Sequence, residues 1–196
     1  MTSTTLTRAG FLRAALGGGA TAAGGIALGS RGGSTEASPS RSTDAEILNV
    51  FLALEHAQED FYRAALAADA IDQPLREYAT AAAGQENEHI AFLREHLGGR
   101  ARPHQKVDAG DAVRSPARFR ASAIALEEAA IGAYIGQGAN LTTPMIAAIA
   151  PLISVEARQA AWIRDLAGVS PAPRAADAPR RSAAVLADLR AKGLIG

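Results

Sequence analysis

The sequence predicts an all-α protein, an antiparallel four-helix bundle followed by one short C-terminal helix. From Asp44 onward the chain contains four long segments in which apolar residues recur at helical spacing. Capping residues or prolines begin these segments, and glycines end most of them. No segment long enough for a strand alternates apolar and polar residues, and no Asn-Gly or Asp-Gly hairpin turn occurs. No strands are therefore expected.

The residues at the ends of the segments are typical of helix termini. Ser42, Thr43 or Asp44 can cap the first helix, and Pro74 suits the first turn of the second. Pro151 lies inside the fourth helix and is expected to bend it. The predicted bounds are about 44–68, 74–98, 115–136 and 143–168 for the long helices, and about 182–192 for the short helix.

The composition narrows the possible functions. Lys plus Arg and Asp plus Glu each total 20, so the net charge is zero, whereas a nucleic-acid-binding protein needs a basic surface. Because the chain has no Cys, disulfides, iron–sulfur clusters and thiolate zinc sites are excluded. A metal site would have to use carboxylates and the four histidines. We expect no nucleic-acid partner.

The segment over 1–43 has the order of an export signal followed by a flexible spacer. A basic start precedes a Gly/Ala-rich run over 14–29 and a polar stretch. Residues 7–13, Thr-Arg-Ala-Gly-Phe-Leu-Arg, are similar to a twin-arginine motif but carry Ala9 at the second arginine position. The twin-arginine and general secretory routes both stay open, and the alternative is a tail with chance arginines. We predict a periplasmic or extracellular protein without stable membrane insertion, because the run is too weakly apolar for a span.

Each long helix carries a glutamate in the middle of its apolar stripe. Steps of three, four or seven residues place these glutamates on the inward faces. Two helices carry a further polar residue three positions later, which projects to the same side. The glutamates are Glu55, Glu86, Glu127 and Glu156, and the paired residues are His89 and Gln159.

The two halves of the chain resemble each other. Glu55 in the first half corresponds to Glu127 in the second, and each glutamate is followed at the same spacing by a tyrosine, Tyr62 or Tyr134. The motif Glu-x-x-His that begins at position 86 recurs as Glu-x-x-Gln at position 156. The bundle is therefore predicted to contain two repeated helical hairpins, whose symmetry would bring the four glutamates together.

Four buried carboxylates need compensation, and divalent metal ions supply it directly. Di-iron and di-manganese carboxylate bundles use one Glu from each of two helices and Glu-x-x-His from each of the other two. The spacing therefore predicts a site for iron or manganese, with two tyrosines as hydrogen-bond donors or radical quenchers beside it. The candidate ligands are Glu55, Glu86, His89, Glu127, Glu156 and Gln159, and the tyrosines are Tyr62 and Tyr134.

These motifs resemble the exported ferritin-like domain family, which is related to the plant desiccation-related proteins. The resemblance rests on Leu54-Glu55 with Phe61-Tyr62, Glu86-x-x-His89 with Phe92-Leu93, Leu126-Glu127 with Ala133-Tyr134, and Glu156-Ala157-Arg158. It implies a ferritin-like bundle over 44–168, a Pro-rich extension with a short helix over 169–196, and frequently a twin-arginine-type signal. We expect a monomer or homodimer that handles iron, oxygen or peroxide.

The departure from the family pattern is Gln159, where the family has His. An amide oxygen is a poorer iron ligand than imidazole, so a metal site could be weakened at this position. The alternative is a metal-free protective or structural bundle in which tyrosines, His89 and Gln159 bond the carboxylates. Glu59 and Glu128 could substitute as ligands, but they are expected to face solvent or a neighbouring helix. His56 is expected at the surface and Trp162 in the core.

Overall fold

The computed structural model describes residues 39–195, which contain five α-helices and no strand. The all-α prediction is confirmed, and the part of the predicted export segment over 1–38 lies outside the described residues. Short 3₁₀ turns follow the second and third helices and precede the third. The helices are α1 (Arg41–Ala68), α2 (Gln73–Leu97), α3 (Pro116–Gln137), α4 (Thr143–Leu166) and α5 (Ser182–Ala191).

The start of α1 differs from the predicted start. The helix begins at Arg41 because Ser40 caps it, and the Ser40 hydroxyl accepts a hydrogen bond from the Thr43 amide at 3.2 Å. Asp44 is buried and accepts instead from the backbone amide and hydroxyl of Thr142, at 2.9 and 2.7 Å. The predicted cap was wrong because this carboxylate joins the start of α1 to the start of α4.

The other helix ends lie close to the predicted positions. Asp72 caps α2 one residue before the helix begins, and Ser115 caps α3, whose first residue is proline. The fourth helix continues through Pro151 and ends shortly before Gly168, whose φ of 71° favours glycine. By length and composition α4 could cross a membrane, which is weak evidence, since core helices of soluble proteins meet the same criterion.

Short connections form two antiparallel hairpins. Residues 69–72 join α1 to α2, and residues 138–142 join α3 to α4. Helix α1 also packs against α3, and α2 also packs against α4. The four long helices therefore form a square bundle, with each helix contacting two neighbours.

A long crossover, residues 98–115, runs along α1 from its first turns towards its end. Near the start of α1, the Asn49 side chain accepts from the Arg102 amide at 2.7 Å. Further along, Asp60 accepts from the Val107 amide at 2.7 Å. Phe119 in α3 then stacks on Phe61 near the end of α1. Helix α3 thus begins beside the end of α1 and runs antiparallel to it.

The C-terminal segment passes over α3 at two glycines of that helix, Gly132 and Gly136. The Arg180 amide donates to the Gly132 carbonyl at 2.8 Å, and a Cβ at Gly136 would overlap the Arg180 backbone. Helix α5 then packs on α3 and buries Val185 and Leu189 completely. The small residues of α3 allow the chain to pass close over the second hairpin.

Candidate metal centre

Each long helix contributes one fully buried glutamate to the interior of the bundle. All four side chains have an exposed fraction of 0%. This burial follows from their positions on the apolar stripes, which the packing of the four helices turns inward. The glutamates are Glu55 on α1, Glu86 on α2, Glu127 on α3 and Glu156 on α4.

Four residues form a compact group that can hold a metal ion. Each offers one ligand atom, and these atoms all lie within 4.8 Å of one another. The group comes from α1, α2 and α4, and its members are Glu55, Glu86, His89 and Glu156. We call it the Glu/His cluster.

The centre of the Glu/His cluster is the Nδ1 atom of His89. It lies 3.2 Å from Glu55 Oε2 and 3.1 Å from Glu86 Oε2, both at hydrogen-bond geometry. It also lies 3.0 Å from Glu156 Oε1, without hydrogen-bond geometry. One imidazole nitrogen carries at most one proton, so it cannot fully satisfy three carboxylate oxygens.

In the absence of metal, the cluster retains protons. Burial by itself lowers the pKa of His89, but the nearby carboxylates of Glu156, Glu55 and Glu86 outweigh burial and raise this pKa to about 12. Burial raises the pKa of Glu86, and the charge of Glu156 adds to the effect. Burial also raises the pKa of Glu156, with the charge of Glu55 as the next cause. A metal ion must therefore displace protons from these ligands.

The residues present fit a divalent ion. The Oε1 atoms of Glu86 and Glu156 are buried and have no hydrogen-bond partner among residues 39–195. The His89 nitrogen lies within 3.2 Å of oxygens from three carboxylates, so these groups are close enough that one ion would bind to several of them. Three carboxylates with one imidazole are a donor set that suits iron or manganese.

The predicted ligand Glu127 lies outside the Glu/His cluster and is satisfied by protein donors. Its Oε1 accepts from the hydroxyl of Tyr62 and, at 3.1 Å, from that of Tyr78. Its Oε2 accepts from Gln58 Nε2 at 3.3 Å. Burial, and then the charge of Glu156, raises the pKa of Glu127.

The predicted ligand Gln159 is also turned towards a protein partner. It is buried on α4, and its Nε2 donates to Gln85 Oε1 at 2.8 Å. Its own Oε1 is buried and makes no hydrogen bond within the described part of the chain. The side chain therefore has only an amide oxygen left to offer to an ion.

The two predicted tyrosines connect the repeated halves reciprocally. Tyr62 of the first half donates to Glu127 of the second, and Tyr134 of the second donates to Glu55 Oε1 of the first at 2.5 Å. Burial, and then the charge of the bonded glutamate, raises the pKa of both phenols well above the ordinary value. Both tyrosines are therefore neutral hydrogen-bond donors.

Sequence reasoning missed two participants, Gln58 and Tyr78. Both have exposed fractions of 1% or less and bond Glu127. The spacing of both residues along their helices indicates that they face the interior of the bundle. Gln58 follows Glu55 by three residues, and Tyr78 lies three residues after Leu75 on the apolar stripe of α2.

The prediction that His56 lies at the surface was wrong. The residue is 8% exposed, its ring stacks on His104 at a centroid distance of 4.0 Å, and its Nε2 accepts from Arg94 at 3.3 Å. Burial, the charge of His104 and the charge of Arg94 lower its pKa to about 4. The crossover covers this face of α1, which the periodicity of a single helix does not reveal.

The remaining side chains divide between expected and unexpected positions. Glu59 pairs with Arg63, and Glu128 pairs with Arg164, so neither joins the Glu/His cluster. The prediction that Trp162 is a core residue was wrong, because 37% of it is exposed.

The comparisons with known proteins agree with this geometry. A family model described as the ferritin-like domain matches residues 43–169, which is more than half of the chain and spans all four long helices. No curated protein matches the chain. The chain belongs to the ferritin-like domain family.

Proposed function

We propose that the protein binds iron or manganese at the Glu/His cluster and handles iron, oxygen or peroxide outside the cytoplasm. The observation that carries the proposal is the position of His89 Nδ1, within 3.2 Å of carboxylate oxygens from three glutamates on three helices. Such crowding of acceptors around one donor is costly in a buried site unless a cation joins them.

The side chains around the cluster have distinct tasks in this proposal. His89 and the cluster glutamates bind the ion, and Tyr134 fixes the orientation of Glu55 through its hydroxyl. The ring of Tyr134 stacks on Phe51 at a centroid distance of 4.1 Å, which packs apolar surface beside the site and excludes water. Bound iron or manganese would supply a change of oxidation state. Glu127 and Gln159 remain candidate further ligands.

We place the protein in the exported branch of the family, as a monomer or homodimer. The support is the sequence of residues 1–43, with its basic start, small apolar run and polar spacer. Export in a folded state would suit a metal loaded in the cytoplasm, and the twin-arginine-like stretch over 7–13 supports this route.

Metal analysis of the purified protein tests the proposal. Protein expressed in iron- and manganese-supplemented cells should contain metal well above background, and Glu86→Ala should remove most of it. Glu88→Ala is the matched control, because Glu88 is exposed on the same helix two residues away. Metal content near background in the parent protein, unchanged by Glu86→Ala, would contradict the proposal.

A second candidate is a metal-free protective or structural bundle. The observation that favours it is the number of protein donors around the carboxylates. Tyr134 bonds Glu55, and Tyr62, Tyr78 and Gln58 bond Glu127. The same metal analysis separates the two candidates, since this one requires background metal content in correctly folded protein.

A further inference from the structure

The amide of Gln58 occupies an unusual position between two buried carboxylates. Its Nε2 donates to Glu127 Oε2 at 3.3 Å and to Glu156 Oε2 at 3.2 Å. An amide nitrogen carries two hydrogens, and each of them meets one carboxylate. The partial positive charge of this group thus bridges two glutamates, which is the task of a cation in a carboxylate bundle.

The two glutamates that Gln58 bridges are the ones that would share a second ion. In the repeated arrangement, Glu55, Glu86 and His89 of the first half correspond to Glu127, Glu156 and Gln159 of the second half. We call these second-half residues the second position. Gln58 contacts two of its three members, and the third, Gln159, donates its amide to Gln85 at 2.8 Å.

The donors are distributed unequally between the two halves. Glu127 receives three donors, which come from Tyr62, Tyr78 and Gln58. The corresponding Glu55 receives a hydroxyl from Tyr134 and a contact from His89. The second position is thus supplied with more protein donors than its counterpart.

The repeat shows that these additional donors belong to one half alone. When Glu55 is aligned with Glu127, the counterpart of Gln58 is Ala130. When the second helices of the two hairpins are aligned through their glutamates, the counterpart of Tyr78 is Ala148. An alanine side chain offers no hydrogen-bond donor. The glutamates of the first half therefore receive no contact equivalent to those that Gln58 and Tyr78 make with Glu127.

Within residues 39–195, the unpaired buried carboxylate oxygens belong to the Glu/His cluster, whereas the unpaired buried oxygens of Gln58 and Gln159 are neutral amide oxygens. Glu86 Oε1 and Glu156 Oε1 have no hydrogen-bond partner among the described residues, and both belong to the Glu/His cluster. Both oxygens of Glu127, in contrast, accept hydrogen bonds. The requirement for a cation is therefore concentrated at the cluster.

We infer that the protein holds a single metal ion, at the Glu/His cluster, and that the Gln58 amide takes the place of a second ion. This inference rests on the proposed function and adds the number of ions and the residue that fixes it. Gln159 alone does not limit the number of ions, because Gln58 occupies the carboxylates of the second position whichever residue stands at 159.

Metal stoichiometry in four forms of the full-length protein tests the inference. Metal-free protein is loaded anaerobically with excess Mn²⁺, unbound ion is removed, and bound manganese is counted by elemental analysis. Electron paramagnetic resonance then distinguishes isolated from magnetically coupled Mn²⁺. The forms are the parent protein, Gln159→His, Gln58→Ala/Gln159→His and Gln58→Ser/Gln159→His.

The expected result is one ion per chain in the parent and in Gln159→His, and two coupled ions in the double variants. The serine version leaves a smaller cavity, so it serves if the alanine version fails to fold by circular dichroism. Two ions in the parent or in Gln159→His would overturn the inference while supporting the proposed function. One ion in a folded double variant would also overturn it. No ion in the parent would overturn the proposed function itself.

Discussion

At the scale of single residues, the buried glutamates differ in the hydrogen bonds that support them. Glu55 Oε1 accepts one phenol, that of Tyr134, whereas Glu127 Oε1 accepts two, those of Tyr62 and Tyr78. All three phenols are completely buried. The loss of one phenol therefore has different consequences at the two glutamates, although the sequence places Tyr62 and Tyr134 at equivalent positions.

We expect Tyr134→Phe to destabilise the metal-free protein more than Tyr62→Phe does. Removal of the Tyr134 hydroxyl leaves Glu55 Oε1 without its donor, at a cost of about 1–3 kcal/mol. After Tyr62→Phe, Tyr78 still donates to the same oxygen of Glu127. Urea unfolding measures both changes in the free energy of unfolding. A loss from Tyr62→Phe that equals or exceeds the loss from Tyr134→Phe would contradict this assignment.

The stability of the metal-free protein should fall as the pH rises above neutrality. Folding raises the pKa of His89 from its ordinary 6.5 to about 12. A raised pKa means that the folded state binds the proton more tightly. The stabilisation is thus complete below pH 6.5 and is lost as the pH rises towards 12.

Thermal unfolding of metal-free protein between pH 6.5 and 9 measures this effect. We expect the midpoint to decrease with pH, and His89→Gln to reduce the slope, since the variant lacks the titrating group. Equal slopes in the two proteins would show that His89 does not hold the proton.

Residue-level prediction succeeded where one helix decides the outcome and failed where several helices meet. The burial of Glu55, Glu86, Glu127 and Glu156 follows from helical spacing alone. The burial of His56 depends on the crossover that lies over α1, which no spacing within α1 can indicate. The hydrogen bonds of Gln58 and Gln159 likewise depend on which neighbouring helices supply a partner.

At the scale of helices and connections, the crossover and the C-terminal segment are each hydrogen-bonded to one long helix. The crossover is fixed to α1 by Asn49 and Asp60, and the C-terminal segment is fixed to α3 at Gly132. Asp60 and Gly132 are equivalent positions of the two halves when Glu55 is aligned with Glu127. Each half is thus held by the chain that follows it, through a side chain in one case and the backbone in the other.

Gly136→Ala should weaken the packing of the C-terminal segment against α3. The added Cβ would overlap the backbone of Arg180, so the segment or α3 must shift, at a cost of about 1–3 kcal/mol. Gly84→Ala is the matched control, because Gly84 is exposed inside α2 and an added Cβ meets no described atom within 4 Å. The control should gain about 0.5–1 kcal/mol.

Urea unfolding and amide hydrogen exchange of α5 measure the two variants. We expect Gly136→Ala to lower the free energy of unfolding and to speed exchange in α5, while Gly84→Ala leaves that exchange unchanged. A gain in stability from both substitutions would show that Arg180 does not pack closely on α3.

The long helices were predictable, and the connections were not. Proline and capping residues gave the start of α2 and α3 to within one or two residues. The start of α1 was missed because Asp44, a good cap by type, bonds Thr142 instead. The path of the crossover depends on bonds between residues that lie far apart in the sequence, which local sequence patterns do not encode.

At the scale of the whole molecule, the two hairpins form a symmetric scaffold with an asymmetric centre. The reciprocal bonds of Tyr62 and Tyr134 preserve the symmetry of the repeat. His89 and Gln58 break it, because Gln159 and alanine stand at the equivalent positions. A duplicated fold can thus keep its architecture while its halves bind differently.

The proposed export makes a prediction about the mature chain. Expressed with residues 1–43 in a host that has both export routes, the protein should be recovered outside the cytoplasm with a shortened N-terminus. A chain that begins at residue 39 should stay in the cytoplasm, and it retains every helix described above. N-terminal sequencing and fractionation measure both outcomes. An uncleaved chain in the cytoplasm would contradict export.

The most direct test of the metal site is anomalous diffraction from crystals grown with Mn²⁺ or Fe²⁺, recorded at the absorption edge of the metal. We predict an anomalous peak inside the bundle, with ligands from Glu55, Glu86, His89 and Glu156. The absence of a peak there, or a peak confined to the surface of the bundle, would contradict the assignment of this cluster as a metal site.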